Sequence, residues 1–324
     1  PTLVDLERDG EPFPAVIQAT KTGMLFIFHR ETGEPYFPIE ERPVPTDGVP
    51  SEQLSPTQPF PVKPPPLVPQ GMAPSQLWGA TFMDRLQCRR KYGSYRFGPI
   101  YTPPSLEGTV IVPSTAGGIN WGGVAVDPRT RILVTKVLRM GHFAQLIPRE
   151  QIQTRPLEAG ENQMGAPAAL LGTPYALRQG PLVSPMFMPC TEPPWAALVA
   201  VDLEAGEILW QSPLGMLDRL MPIPLPLRWG TASFGGPIIT GGGLVFIGAT
   251  QDDRFRAFDL VSGEELWSAR LPTGAFALPM TYSVDGRQYV VVASGGHPFI
   301  YPHPGDYLTA FALPRRAAQP DAPR

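Results

Sequence analysis

Short apolar stretches alternate with polar turn residues along most of the chain. Apolar runs at 24–28, 196–201 and 244–248 have the length of single β-strands. The run 196–201 leads directly into an aspartate-initiated turn, and the run 244–248 is followed by a second strand that does so. After the run 24–28, His29 stands in the place of the aspartate. After each turn a glycine can supply the positive φ that a tight turn needs, and an alternating segment then ends in a large aromatic residue. The pattern predicts a series of β-hairpins.

The hairpin sequence repeats along the chain. Residues 200–210 align without gaps on residues 257–267, and the two copies share the Asp, the Gly and the closing Trp. A degenerate copy covers 27–37, and a shorter one covers 125–130. A single hairpin cannot bury its own apolar face, so repeats at this spacing predict an all-β fold, a β-propeller of four-stranded antiparallel blades. About four repeat units are visible, too few to close a ring.

The remaining segments complete the predicted organisation, a single partial propeller domain over 1–324. Residues 281–284 and 288–293 flank Asp285-Gly286 and predict one more hairpin. Proline-rich stretches at 43–77, 147–194 and 213–228 lack regular alternation. We expect these three to be ordered loops crossing one face of the propeller. We expect no helix longer than a few turns, and a flexible tail over 315–324.

Composition agrees with a folded, turn-rich protein. The chain has 43 Pro and 33 Gly among 324 residues, yet 43% of its residues are hydrophobic and only 17% are charged. A formal net charge of -3 provides no basic field for nucleic acid. No apolar run approaches the roughly 18 residues of a membrane-spanning helix. The first residue is Pro1 and no signal peptide is evident, so we expect a fragment or a processed product.

The chain has two cysteines, Cys88 and Cys190. They form no CxxC motif and no Cys/His cluster, which argues against a zinc site. A single disulfide and two buried thiols remain equally compatible with the sequence.

Polar residues concentrate beside glycines in four segments, at 18–23, 114–123, 248–253 and 294–297. Each segment follows a predicted strand, and glycine there permits close approach of the backbone to a ligand. The candidate ligand-binding residues in these segments are Lys21, Asn120, Trp121, Asp252 and His297. We expect them to meet in one pocket.

The motifs in and around these segments resemble those of the PQQ-dependent (quinoprotein) dehydrogenases. They are Lys-Thr-Gly at 21–23, Asn-Trp-Gly-Gly at 120–123, and the stretches 235–248, 279–297 and 305–314. Together they are most similar to the membrane-bound branch that includes glucose and quinate dehydrogenases. The resemblance covers nearly the whole chain. It implies that the chain forms the C-terminal blades of an eight-bladed quinoprotein propeller, with the N-terminal blades missing.

The resemblance also implies roles for the candidates. Lys21 matches a lysine that contacts the quinone oxygens, where an ammonium stabilises developing negative charge. Asp252 matches an acidic residue near that lysine, although a turn-forming aspartate is an equally good interpretation. Asn120 and Trp121 match a pair near PQQ, with a plain core aromatic as the alternative for Trp121. His297 matches a histidine close to the cofactor, with a backbone-capping loop histidine as the alternative.

The function implied by the resemblance is oxidation of an alcohol, polyol or sugar, with PQQ as hydride acceptor. Electrons would then pass to a membrane quinone at the periplasmic face of the bacterial inner membrane. The catalytic aspartate is expected upstream of Pro1, and the ligands of Ca²⁺ or Mg²⁺ further upstream. No catalytic base or metal ligand is therefore assigned in this chain, and we expect it to be inactive alone.

Two other function classes agree less well with the sequence. A non-catalytic propeller scaffold of the outer-membrane assembly type has no need of convergent polar loops. A carbohydrate-binding or hydrolytic propeller needs paired carboxylates across a cleft, whereas Asp252 and Asp253 are adjacent in sequence.

Overall fold

The computed structural model describes residues 1–50, 52–152, 165–218, 226–298, 300–301 and 303–314. Most of the described elements are antiparallel β-strands, numbered here in chain order. The predicted tail at 315–324 lies outside the described residues, as do parts of two predicted loops, 153–164 and 219–225.

Four sheets of the described chain form blades. Blade 1 consists of β1 (Thr2–Arg8), β2 (Glu11–Ala19) and β3 (Leu25–His29). Blade 2 has the order β15-β14-β10-β9 and consists of β9 (Val124–Asp127), β10 (Ile132–Leu138), β14 (Ala196–Asp202) and β15 (Glu207–Pro213). Blade 3 consists of β16 (Ile238–Ile239), β17 (Leu244–Ile247), β18 (Arg254–Asp259) and β19 (Glu265–Arg270). Blade 4 consists of β20 (Met280–Val284), β21 (Arg287–Ser294) and β22 (Tyr307–Phe311).

The other elements lie outside the blades. Two short pairs are β4 (Ile39–Pro43) with β5 (Thr57–Pro61), and β6 (Gly71–Met72) with β7 (Gly98–Pro99). A further sheet, in the order β12-β13-β11-β8, consists of β8 (Thr109–Ile111), β11 (His142–Pro148), β12 (Ala168–Ala169) and β13 (Tyr175–Pro181). The helices are α1 (Phe82–Tyr92) and the 3₁₀ turns Pro74–Gln76 and Arg149–Gln151.

The blades stack in chain order because their central strands are apolar on both faces. In β10, Leu133 and Val137 pack toward blade 1, whereas Val134 and Leu138 pack toward blade 3. Adjacent residues of a strand point to opposite faces, so a continuous apolar run serves two interfaces. A third apolar cluster joins blades 3 and 4. The fold class, a β-propeller of antiparallel blades, is confirmed.

Two of the closing aromatics, Phe37 and Trp210, pack against the turn of the next blade. A Cβ atom at Gly206 would lie 2.7 Å from the ring of Phe37, and one at Gly263 would lie 2.5 Å from the ring of Trp210. The Trp210 indole N–H also donates to Leu260 O at 2.9 Å in the next blade. Both turns therefore need glycine for two reasons: a Cβ atom would clash with the neighbouring aromatic ring, and the backbone φ is positive.

The two ends of the blades differ. At one end, called the turn end, tight turns join β1 to β2, β9 to β10, β14 to β15, β18 to β19 and β20 to β21. Asp202 Oδ1 accepts from the backbone N–H groups of Glu204 (2.8 Å) and Ala205 (2.9 Å), and Asp259 Oδ1 accepts in the same way from Ser262 N (2.7 Å). The opposite end, called the loop end, carries the described segments 20–24, 112–123, 214–218, 226–237, 248–253, 271–279, 295–298 and 303–306.

A disulfide-bonded module is inserted at the loop end. It consists of α1 and the β12-β13-β11-β8 sheet, and the disulfide Cys88–Cys190 lies in its apolar core. Thr81 Oγ1 caps α1 by accepting from Asp84 N at 3.1 Å, and the Tyr92 hydroxyl donates to Val183 O at 3.0 Å. The two cysteines are thus bonded to each other.

The loop prediction for 147–194 is wrong where the sheet forms. β13 pairs with β11 along its whole length, and Phe143 of β11 pairs with Val110 of β8. These strands lack the repeat motif, and their partners are distant in sequence, so local alternation did not reveal them.

Candidate functional site

Lys21 lies in the loop between β2 and β3, at the loop end of blade 1. Its backbone carbonyl accepts from Gly118 N at 2.8 Å, which joins this loop to segment 114–123. Its side chain is exposed, and Nζ donates to Thr115 O at 3.3 Å. The amine is therefore held beside segment 114–123.

Asn120 and Trp121 lie in the same segment. Asn120 Nδ2 donates to Ala116 O at 2.7 Å, while its Oδ1 accepts from Trp121 N at 2.8 Å. The side chain of Asn120 thus fixes the shape of the loop. Trp121 is 54% exposed, so the alternative that it is a core aromatic is wrong. Its indole is available as a flat surface at the loop end.

His297 is connected to this segment through blade 3. A Cβ at Gly122 would lie 1.8 Å from Gly235 O, so the two loops touch at their backbones. The next side chain, Phe234, stacks on the His297 ring with 4.9 Å between centroids and 19° between planes. Burial lowers the pKa of His297. The structure therefore brings the loops of Lys21, Asn120, Trp121 and His297 together at one end.

Asp252 lies at the same end but has a different partner from the one expected. Its carboxylate is fully buried and forms an ion pair with Arg256, which is also buried. It also accepts from Thr250 Oγ1 at 2.6 Å and from Met216 N at 2.8 Å. Burial would raise the pKa of Asp252, but the charge and hydrogen bonds of Arg256 and its neighbours hold it below the usual value.

The expected pairing of Asp252 with Lys21 is therefore corrected to a pairing with Arg256. The buried guanidinium needs the nearest carboxylate, because an unpaired charge would be costly in the interior. Among the described residues, the hydrogen bond of Lys21 is with the Thr115 carbonyl.

Two titratable residues at the loop end were missed by sequence reasoning. Lys136 in β10 is 3% exposed, and its Nζ donates to Ser233 O at 3.0 Å. His142, the first residue of β11, contacts Thr115 Oγ1 through Nδ1 at 2.5 Å, and burial lowers its pKa to about 4. A lysine within the apolar run 132–138 was the available signal for Lys136. No comparable signal marked His142.

A polar cavity of about 350 Å³ lies between the loops of blades 3 and 4. The residues that line it are Gln251, Asp253, Pro272, Thr273, Tyr301, His303, Pro304 and Tyr307. None of the five predicted residues is among them, although Asp252 and Asp253 are adjacent in sequence.

Neither a metal-ligand cluster nor a membrane-spanning helix occurs in the part of the chain that the structure describes. The described residues contain no group of three or more His, Cys, Asp or Glu side chains that could hold a metal ion. They also contain no helix with the length and apolarity needed to cross a bilayer.

Residues 1–290 match the family described as "PQQ: Glucose/ethanol/alcohol dehydrogenase, beta-propeller domain". The chain belongs to this family. It is 36% identical over 323 residues to the quinoprotein glucose dehydrogenase of Escherichia coli (strain K12). The aligned region covers 97% of this chain and 40% of that protein. It is 38% identical to the quinate/shikimate dehydrogenase (quinone) of Acinetobacter baylyi, and that alignment covers 97% of this chain and 40% of the relative. The chain thus spans about two fifths of the length of these relatives.

The structural comparison supports the same fold. The quinohemoprotein alcohol dehydrogenase from Comamonas testosteroni matches with a TM-score of 0.54 and 22% identity, over 99% of this chain and 39% of that one.

The donor groups at the loop end fit PQQ, a planar tricarboxylate with an ortho-quinone. An amine and an exposed indole lie on adjoining loops, at Lys21 and Trp121. Among the described residues, three buried hydroxyls at this end have no hydrogen-bond partner, those of Ser114, Ser233 and Ser294. Unsatisfied hydroxyls suit the oxygens of an anionic ligand.

Proposed function

We propose that this chain supplies part of the PQQ site of a quinoprotein dehydrogenase that oxidises an alcohol, polyol or sugar. PQQ would accept the hydride equivalent from the substrate. Electrons would pass on to a membrane quinone at the periplasmic face of the bacterial inner membrane. The observation that carries the proposal is the position of the Lys21 amine beside the loop of Asn120 and Trp121.

Each candidate has a distinct task in this proposal. The ammonium of Lys21 stabilises negative charge at a quinone oxygen, since it is held by a neutral carbonyl and not by a carboxylate. Trp121 offers its ring face to the planar cofactor, and Asn120 keeps that loop in shape. His297, stacked on Phe234, bounds the site from blade 4. Asp252 acts indirectly, by fixing the loop 248–253 through Arg256.

The proposed metal ion and catalytic base are not assigned to residues of this chain. Ca²⁺ or Mg²⁺ is expected with PQQ in the full-length protein, together with an aspartate base. The names of the relatives suggest the substrate class, because they include glucose, quinate or shikimate, and glycerol. We infer a compound of this polyhydroxy type.

The test is titration of the full-length protein with PQQ plus Ca²⁺ or Mg²⁺, followed by dye-linked assays on glucose, quinate and glycerol. Lys21→Met should weaken PQQ binding about 10- to 100-fold, as expected for loss of one charge-assisted hydrogen bond. Lys63→Met is the matched control, because exposed Lys63 also donates to a carbonyl, Ala205 O at 3.0 Å, at the turn end. Absence of PQQ uptake would favour the scaffold alternative.

A further inference from the structure

Lys136 is a buried cation at the loop end that the proposed function does not use. It is the one charged residue of β10, whose seven residues are all buried. Its Nζ donates to Ser233 O at 3.0 Å and lies 5.7 Å from the centroid of the Phe234 ring. Among the residues that the structure describes, it has no carboxylate partner. Both contacts are neutral and leave the ammonium charge uncompensated.

An uncompensated charge in this position is energetically unfavourable. Burial lowers the pKa of Lys136 to about 8, which still leaves the amine largely protonated at neutral pH. Replacing a buried charged group by an apolar one of similar size is often neutral or stabilising. An anion brought close would offset the cost, because attraction between charges is strong where water is excluded.

The surroundings of Lys136 indicate where such an anion would lie. The amine is hydrogen-bonded to Ser233 O, and two residues further on a Cβ at Gly122 would lie 1.8 Å from Gly235 O, so the segment that holds the amine touches the Asn120–Trp121 loop. Phe234 contacts Lys136 and also stacks on His297 at 4.9 Å. The Ser233 hydroxyl beside it is buried and has no hydrogen-bond partner among the described residues. Two of the loops assigned to the cofactor, those of Asn120–Trp121 and of His297, therefore adjoin the segment that holds this amine.

We propose that Lys136 is a second cationic anchor of the cofactor site, which stabilises a carboxylate of bound PQQ from behind the Ser233–Phe234 segment. The inference rests on the proposed function, since it needs an anionic ligand at this end. Lys136 is then a residue for binding the cofactor and takes no part in the chemical step. The competing role is a structural one, in which the amine only holds the Ser233 carbonyl in place.

Two variants of the full-length protein separate these roles. Lys136→Met removes both the charge and the hydrogen bond, whereas Lys136→Gln removes the charge and keeps a donor for Ser233 O. Lys63→Met again serves as the control, because it removes the same charge from an equivalent hydrogen bond of 3.0 Å at the turn end. The measurements are the dissociation constant of PQQ, by calorimetry in the presence of Ca²⁺, and the Tm of the protein without PQQ.

We expect both Lys136 variants to bind PQQ about 10-fold more weakly than the wild type, with Lys63→Met unchanged. Without PQQ, the Tm of Lys136→Met should not fall, because a buried charge has been removed. Wild-type affinity in Lys136→Gln would overturn the inference and leave the proposed function intact. A lower Tm together with weaker binding in Lys136→Met alone would assign the structural role instead. A wild-type protein that binds no PQQ would overturn both proposals.

Discussion

The turn end and the loop end are built from the same strands but use their polar groups differently. At the turn end, each repeat aspartate accepts hydrogen bonds from the backbone of its own turn, as Asp202 and Asp259 do. At the loop end, polar groups bond across long sequence separations, for example Lys21 to Thr115 and Lys136 to Ser233. Others have no partner among the described residues, such as the Ser114 hydroxyl.

The difference shows how one strand arrangement can separate stability from binding. The repeat aspartates of the turn end satisfy backbone groups of their own turns, so this arrangement can repeat without reference to a ligand. Within the described residues, the loop end leaves buried hydroxyls without hydrogen-bond partners and the Lys136 ammonium without a carboxylate partner, and a bound anion would supply both. The contrast predicts larger consequences for substitutions at the loop end.

The largest effect is expected from breaking the buried Asp252–Arg256 pair. Asp252→Asn leaves the Arg256 guanidinium with one carboxylate neighbour, Glu265 at 3.6 Å. We expect the free energy of unfolding to fall by about 3–5 kcal/mol, as for other buried pairs that lose one partner. Asp259→Asn at the turn end is the matched control and should cost about 1 kcal/mol or less. Urea denaturation of both variants makes the comparison, and equal losses would contradict the proposed difference between the ends.

A smaller loss is expected from opening the disulfide of the module. Replacing Cys88 and Cys190 by Ala removes a cross-link between residues 102 positions apart. This should lower the free energy of unfolding by about 2–4 kcal/mol in the module. Hydrogen exchange should then show faster opening of α1 and β11, with the turns of Asp202 and Asp259 unaffected. Uniformly faster exchange in all four blades would show that the module is not a separate stabilising unit.

The effect that is smallest near neutral pH, and grows only in acid, is expected from protonation of His142. Burial lowers the pKa of His142 from 6.5 to about 4, so between these values the unfolded chain binds a proton that the folded chain does not. Stability should therefore fall as pH drops from about 6.5 to 4. At the turn end, hydrogen bonds from Ser262 lower the pKa of Asp259 below 3.8. Its contribution is present above that value and is lost only as pH falls further. Thermal unfolding of His142→Gln between pH 7 and 4 should lack the first decline, and an unchanged decline would exclude His142 as its source.

The sequence predicted the turn end more completely than the loop end. Apolar run, aspartate, glycine and aromatic are local signals, and the hairpins at 196–213 and 280–294 follow from them. The paired register irregularities at Ala200/Val201 and Ala257/Phe258 show that the repeat extends to backbone detail. The sheet of the module was missed because its strand pairs join distant segments.

For the site, positions were more predictable than partners. The glycine-rich motifs placed Lys21, Asn120, Trp121 and His297 at one end, where the structure has them. The assignment of these residues to PQQ stays a prediction. The partner of Asp252 was not foreseen, although Arg256 stands within an otherwise buried strand segment, as Lys136 does in β10. A charged residue within a buried strand indicates that a polar partner lies nearby. Which loop supplies that partner depends on tertiary packing, which the sequence pattern does not show.

The contacts of Phe37 with Gly206 and of Trp210 with Gly263 have a consequence for how such a chain can grow. In both contacts, the closing aromatic residue of one blade packs against the turn glycine of the next blade. A duplicated repeat therefore carries both the aromatic residue and the glycine that such a contact needs.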